Sequence, residues 1–587
     1  MTKEKFQTLY NQTSETIESL KNRSNLLSII RFCLCILFLF CLLAGYFYHL
    51  NILYIFSLII ILLFMIFVRI HQKIKEHLCF VEAQNHIYNQ HLKRINGEWE
   101  CFYNGSEFTN NQDHLSEDLD IFGNHSLYQL INASFTLLGK ERLSRLLKLD
   151  STDLKEIQSR QESVVELSQN EDFVLLLQTY GELMNNNKID NNMISSLCFS
   201  RRMTSQLIFI LPLITLTGMI LSLLHLFKPY SFLICEIGVV LQLALSFLML
   251  HRSNEMFEPI THLHSVLNEY FNIFQLIENH HFSSMYLKNL QNQLLNPLAS
   301  TKGIKDLYKI AQKVSYRKNI FAFILLNGFL SFDVLLQYQY QNWLQMYGDY
   351  IQKWFDALAD LEACMSLSIL KIDEFNVSIP CVRRNTDFSF KNLRHPLISQ
   401  DHVIGNDFVL KKNINVITGS NMSGKTTFMR TIALNLVLAY AGGYVFAQEM
   451  NCSLMKIYTS MRVKDDVEGG ISTFYGELLR IKEMIDESQK GENMICFIDE
   501  IFKGTNSLDR IAGAKATIEQ LSLSHCITFI TTHDFELCQF NDLSIQNYHF
   551  DEHYKNNKIY FDYLIKEGQS KSTNGQFLLK QLGIIKE

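Results

Sequence analysis

The sequence predicts an α/β domain built on a largely parallel sheet over residues 381–587, preceded by an all-α region that carries two transmembrane helical hairpins. Three observations predict it. From about residue 380, short β-rich runs alternate with helices; a strand-like run leads into a glycine-rich phosphate-binding motif at Gly419; and two pairs of long apolar stretches interrupt the helical N-terminal half.

A chain of 587 residues exceeds what one hydrophobic core holds. Pattern changes divide it into an N-terminal membrane hairpin (1–75), a helical region (76–200), a second membrane hairpin (201–255), a helical core or lever region (256–380) and the α/β domain (381–587). Apolar residues make up 48% and charged residues only 19%, a tilt expected of a chain with some surface in lipid. The formal net charge of −6 argues against a broad attraction to phosphate backbones, while leaving room for a local basic face. The 13 cysteines are scattered without C-x-x-C spacing, so they read as reduced structural thiols rather than a disulfide framework or a zinc site.

The apolar stretches Phe32 to Tyr48 and Ile52 to Val68 each reach the roughly 17 residues needed to span hydrocarbon. Lys21, Arg23 and Arg31 precede them and Arg69, Lys73 and Lys75 follow, which puts both outer ends in the cytoplasm. Leu207 to Leu224 and Ser231 to Leu250 repeat the pattern around Pro229, between Arg201, Arg202 and Arg252. Glu236 in the fourth stretch is expected to face a neighbouring helix. Four spans imply a multi-pass membrane protein with lipid as a partner, and with both termini and all large soluble parts on the cytoplasmic side. The stretch Ile320 to Leu335, broken by Asn327, Gly328 and Asp333, reads instead as a buried core helix. Between the hairpins, Leu127-x-x-Leu130-Ile131 and Leu143-x-x-Leu146-Leu147 carry helical spacing, and only 6 prolines in the chain leave long helices unbroken.

The run Ile414 to Thr418 leads into Gly419-Ser420-Asn421-Met422-Ser423-Gly424-Lys425-Thr426-Thr427, which fits G-x-x-x-x-G-K-[ST] at every fixed place and opens a helix near Lys425. Glycines let backbone N–H groups converge on phosphate oxygens at a helix N-terminus. Lys425 is then expected to neutralise the β- and γ-phosphates of ATP, and Thr426 to ligate Mg2+. Met494 to Ile498 reads as a buried strand whose end carries Asp499, for the metal, and Glu500, for the attacking water. A third strand, Ile527 to Ile530, ends in Thr531-Thr532-His533-Asp534 and brings His533 to the same sheet edge as a γ-phosphate sensor.

These residues resemble the MutS family, for Thr418 to Arg430 looks like that family's variant of the P-loop. The resemblance continues through Ala439-Tyr440, Tyr444-Val445, Ala447-Gln448, Asp465-Asp466, Ser472-Thr473-Phe474, Asp499-Glu500-Ile501, Gly504-Thr505-Asn506, Asp509 and Gly568-x-Ser570-Lys571-Ser572. It reaches upstream to Leu119-Asp120-Ile121, Leu130-Ile131-Asn132 and Arg160-Gln161-Glu162. It implies a MutS-type P-loop NTPase domain of the ABC superfamily, an ATPase working as a homodimer through its ATPase domains, and DNA as a ligand. It also implies that Ser472 and Asn506 approach the partner's nucleotide and that Tyr563 stacks on adenine; the first stacking aromatic, expected just before Asn406, is replaced by aliphatic Val403 or Ile404.

Departures from the family pattern bear on biology. The membrane hairpin stands where a mismatch-reading domain is expected, and Phe80-Val81-Glu82 reads as a chance imitation of a mismatch wedge. The chain also stops soon after the closing motif, without the family's extra C-terminal dimerisation helices. Two functions follow as expectations: a membrane-anchored MutS-like ATPase acting on mismatched or structured DNA in a repair-related process, or an ATP-driven membrane mechanoenzyme or transporter-like machine not acting on DNA. An ordinary ABC transporter is disfavoured because Gly469-Gly470-Ile471-Ser472-Thr473 stands where a Leu-Ser-Gly-Gly-Gln signature would.

Overall fold

The computed structural model describes residues 2–110, 113–150, 153–184, 217, 220, 230–248, 250–263, 266–384, 388–462, 473–503, 506–524, 526–539, 545–555 and 558–570. The expected span 207–224 therefore lies outside the described residues apart from 217 and 220, and Ser472 lies outside them too.

The first two apolar stretches sit on one antiparallel pair, α1 (Lys3–Tyr48) and α2 (Asn51–Ile95), turned at His49 in the left-handed region (φ 52°). Unbroken by proline, each helix runs far beyond the apolar stretch it carries. Their apolar middles face outward: Phe32, Phe40, Phe47, Ile52, Ile55 and Leu58 are all exposed. By length and composition α1 and α2 are each able to cross a membrane. Beyond the apolar part the hairpin is knitted into the rest of the molecule. Phe6 stacks on His91 at 4.7 Å, and His91 and Arg94 both meet the buried Asp373, at 2.5 and 3.1 Å.

The fourth expected span coincides with the helix Tyr230–Leu248, whose Leu233, Ile237, Val240 and Leu248 are exposed. The expectation of a buried core helix at Ile320 to Leu335 is corrected by the structure. Helix Ile320–Leu330 packs on Tyr230–Leu248, with Phe323 against Phe247 at 5.8 Å, while Ile320, Phe321, Leu325 and Leu330 stay exposed. The polar residues that break the run in sequence build an elbow instead. Asn327 and Asp333 are buried and bond to each other, Arg317 meets Asp333 at 2.8 Å, and Ser331 donates its N–H to Gln242. With the Asn327 and Asp333 side chains answered by protein, the intervening apolar side chains are free to face outward. The chain turns by 82° there into the helix Phe332–Ile372, whose C-terminal half is almost wholly buried. This helix joins the elbow to the α/β domain.

The α/β domain has two sheets. Strands are β1 (Cys381–Arg383), β2 (Ser389–Leu393), β3 (Asn406–Val409), β4 (Ile414–Thr418), β5 (Glu449–Ser453), β6 (Lys456–Ser460), β7 (Met494–Ile498), β8 (Cys526–Thr531), β9 (Ile545–Lys555) and β10 (Lys558–Glu567). The larger sheet has the order β10-β9-β4-β8-β7-β6, parallel from β9 to β6, with β10 antiparallel at one edge. The smaller has the order β1-β5-β2-β3. Alternation along the strands supplies both faces of the large sheet: Ile417, Phe497 and Phe529 join the core that holds helix Lys425–Ala441, while Val416, Ile498 and Ile530 pack with helices Thr473–Ser488 and Ser507–Ser522. Covered on both faces, the parallel strands leave their C-terminal ends as the edge where loops converge.

Candidate functional site at the ends of the parallel strands

Strand β4 ends at Thr418, and the chain passes through Gly419–Gly424 into the helix that starts at Lys425. Gly424 takes φ 106°, and a Cβ there would stand 3.2 Å from the Tyr563 ring, so both the turn and the close approach call for glycine. Lys425 is buried and donates to the carbonyl oxygens of Gly419 (2.8 Å) and Ser420 (2.9 Å), so the ammonium sits inside its own loop. Burial lowers its pKa, against the opposing pull of the Glu500 and Asp499 carboxylates.

The neighbouring strands bring the acids. The Thr426 hydroxyl donates to Asp499, 3.0 and 2.8 Å from its two oxygens, and the Thr531 hydroxyl donates to Asp499 Oδ1 at 2.6 Å. Thr531 also accepts the Glu500 N–H at 2.9 Å, fixing the residue, which adopts a left-handed φ of 52°. Glu500 Oε1 lies 3.1 Å from His533 Nε2, and its other oxygen meets Lys503 at 2.6 Å. The hydrogen bond from His533, and then Lys503, hold the Glu500 carboxyl down at about 2, overriding the upward push of burial. It is a carboxylate throughout the neutral range.

The structure thus brings together Lys425, Thr426, Asp499, Glu500 and His533 from three segments far apart in sequence. Asn506 stands at the start of helix Ser507–Ser522, where its side chain accepts the Asp509 N–H at 2.9 Å as an N-cap. Tyr563 lines a cavity of about 390 Å3 beside Gly424, together with His395, Val403, Ile404 and Phe428. Asn406 ties the Tyr563 segment to β3 through bonds to Tyr563 O (3.0 Å) and Ile565 N (2.8 Å). Val403, Ile404 and Tyr563 therefore share one cavity.

The residues fit a Mg2+-bound triphosphate. The Ser420 and Ser423 hydroxyls are buried in the loop with no protein partner among the described residues, a donor pair suited to phosphate oxygens. Asp499 and Thr426, one carboxylate and one hydroxyl in contact, could hold the ion together with its own anion. Sequence reasoning missed Thr531, Lys503 and His395. Thr531 was legible as the last residue of its strand, but a hydroxyl bridging two adjacent acids has no spacing signature.

Residues 415–584 match the family model described as MutS domain V, an α/β ATPase-type domain. The DNA mismatch repair protein MutS of Thermus aquaticus is 33% identical over 196 residues, 33% of this chain and 24% of that protein. That of Listeria monocytogenes is 34% identical over 255 residues, 41% of this chain and 29% of that protein. That of Thermus thermophilus is 32% identical over 196 residues, 33% of this chain and 24% of that protein. The matched stretch spans about a quarter of the length of these relatives. Over its C-terminal α/β domain, the chain is thus similar to domain V of the MutS family.

Proposed function

We propose that the protein is a membrane-anchored, Mg2+-dependent P-loop ATPase that works as a homodimer through its α/β domains. The observation that carries this reading is the Thr426–Asp499 contact at 2.8 Å with the Glu500–His533 pair beside it, at the C-terminal ends of parallel strands and next to the Gly419–Gly424 loop. A bound Mg2+ would draw charge off the transferring phosphoryl group. Thr426 and Asp499 hold that ion's place, and Thr531 keeps Asp499 aimed at it. The buried Lys425 supplies positive charge in a water-poor loop, where it acts with little screening. Glu500, kept ionised by His533, accepts a hydrogen bond from the attacking water and orients it. Its bond to exposed Lys503 is the one that yields when water enters, because a screened surface pair contributes little. The cavity around Tyr563 offers one aromatic face and the aliphatic Val403 and Ile404 to the adenine. In the dimer, Ser472 and Asn506 reach the partner's nucleotide.

Membrane anchoring rests on α1 and α2, whose most apolar 18-residue windows are only 6% and 11% buried. In water such a surface would be an aggregation hazard. The outward faces of Tyr230–Leu248 and Ile320–Leu330 extend it. Mismatched or structured DNA is the ligand implied by relatives named as DNA mismatch repair proteins. The second reading, a membrane mechanoenzyme not acting on DNA, is favoured by that apolar surface together with the net charge of −6. ATP hydrolysis by the detergent-solubilised protein, measured with homoduplex, mismatched and branched DNA over a salt series, separates them. Stimulation that fades as salt rises supports the DNA reading, and a rate indifferent to DNA at low salt supports the mechanoenzyme. A protein that never turns over Mg·ATP overturns both.

A further inference from the structure

Outside the site, one pair of acids links the helical region to both arms of the nucleotide machinery. Asp118, the last residue of helix His114–Asp118, and Asp120, in the turn after it, flank Leu119; Leu119 and Ile121 are fully buried in the helical core. Asp118, itself fully buried, accepts the N–H groups of Met461 (3.0 Å) and Arg462 (2.9 Å) and pairs with Arg480 at 3.2 Å. Asp120 takes the Arg462 guanidinium at 2.5 and 3.1 Å and also pairs with Arg430. Burial pushes the Asp120 carboxyl up, but the Arg462 and Arg430 guanidiniums win and hold it below its ordinary value.

From these contacts two short paths lead to the same point. Arg430 lies on the helix that opens with Lys425 and Thr426. Arg462 and Met461 follow β6 directly, and Ser460 at the end of β6 accepts the Asp499 N–H at 2.9 Å. One arm therefore sets Thr426 and the other sets Asp499, the two residues that meet at 2.8 Å. On the other side, the Asp120 carbonyl accepts the Leu127 N–H, and Leu130 in the same short helix accepts from Arg94 of α2, which pairs with Asp373 just past helix Phe332–Ile372.

We propose that Asp118 and Asp120 are positioning residues for hydrolysis, transmitting the placement of the helical region to the Thr426–Asp499 pair. The proposal rests on the ATPase reading above. The two carboxylates face three guanidiniums drawn from different segments, and rigid ion pairs with distinct partners can hold the loop in one register where apolar packing would let it slide. Simple structural glue would affect unfolding without affecting turnover.

The test uses the full-length chain in detergent. Asp120→Asn is expected to raise amide hydrogen exchange in the first turns of helix Lys425–Ala441 and around Ser460 in nucleotide-free protein. It should also lower kcat about tenfold while leaving nucleotide affinity within about twofold. Asp120→Glu, which keeps the charge on a longer arm, should recover part of kcat, and Asp118→Asn should reproduce the loss through the Arg462 side. If Asp120→Asn fails to fold, the comparison of Asp120→Glu with Arg430→Lys carries the same readouts. Unchanged exchange overturns the proposal, as does raised exchange with an unchanged kcat. If the wild-type chain leaves Mg·ATP untouched, the ATPase reading fails on its own, and exchange in the nucleotide-free protein still decides whether the pair sets the loop.

Discussion

Glu500 is held by His533 on one oxygen and Lys503 on the other, so its charge is secured by neighbours that act without closing the site. Glu500→Gln keeps the shape but loses the ability to take charge from water; turnover is expected to fall about a hundredfold or more with nucleotide still bound, read as phosphate release beside a binding titration. Lys425→Ala should fail earlier, in the titration itself, since it removes the buried cation on which the loop closes. Glu362 makes the opposite case. It is fully buried, and burial raises its carboxyl to about 7 against the hydrogen bonds from Thr136 and Phe135. A carboxyl raised on folding holds a proton that the unfolded chain releases, so its stabilising contribution is full below its ordinary value of 4.5 and is lost as pH rises through about 7. Glu362→Gln stays neutral throughout. Its unfolding midpoint, compared with wild type from pH 5 to pH 8, should therefore gain on the wild type as pH rises towards about 7 and level off above it, and parallel curves would show that Glu362 does not titrate there.

At the scale of elements, close approach between helices is what the sequence conceals. A Cβ on Gly303 would stand 2.5 Å from the ring of Trp354, which is completely buried in helix Phe332–Ile372. Helix propensity favours alanine over glycine by about 1 kcal/mol, but overpacking a fixed indole costs about 1–3 kcal/mol. Gly303→Ala is accordingly expected to lower the unfolding midpoint, and a rise would mean that the indole moves easily. Three central strands of the α/β domain and the helix opening at Lys425 were legible because their signals are local: a strand-like run before Gly419, a five-residue apolar run before Asp499, and glycines where φ turns positive. The elbow after Leu330 was not legible. Asn327 and Asp333 look like interruptions of an apolar helix until Arg317 and Gln242 are known to stand beside them, and those partners come from other elements. Thr531 and Asp120 escaped for the same reason, because a hydroxyl or carboxylate acquires its meaning from residues more than thirty positions away.

Over the whole molecule, the apolar hairpin and the nucleotide site are joined without a flexible break among the described contacts: α2 meets Asp373 after the long helix, and the same α2 reaches Leu130 beside the Asp118–Asp120 loop. That continuity gives a membrane-seated hairpin a way to feel the nucleotide, provided the hairpin is in lipid. The cysteines test this directly. Cys33 and Cys35 are exposed on the apolar part of α1, whereas Cys79 and Cys101 are exposed on the far side of the basic residues Arg69, Lys73 and Lys75. A bilayer around the outward-facing side chains of α1 would shield the first two thiols from a water-soluble maleimide and leave the second two open. In single-cysteine variants reconstituted into vesicles, Cys79 and Cys101 should label rapidly from the side that holds the α/β domain. Cys33 and Cys35 should label only after the bilayer is dissolved and the chain unfolded. Equal labelling in intact vesicles would place the hairpin in water, where its apolar surface would have to be covered by protein, and the coupling from membrane to nucleotide would lose its first link.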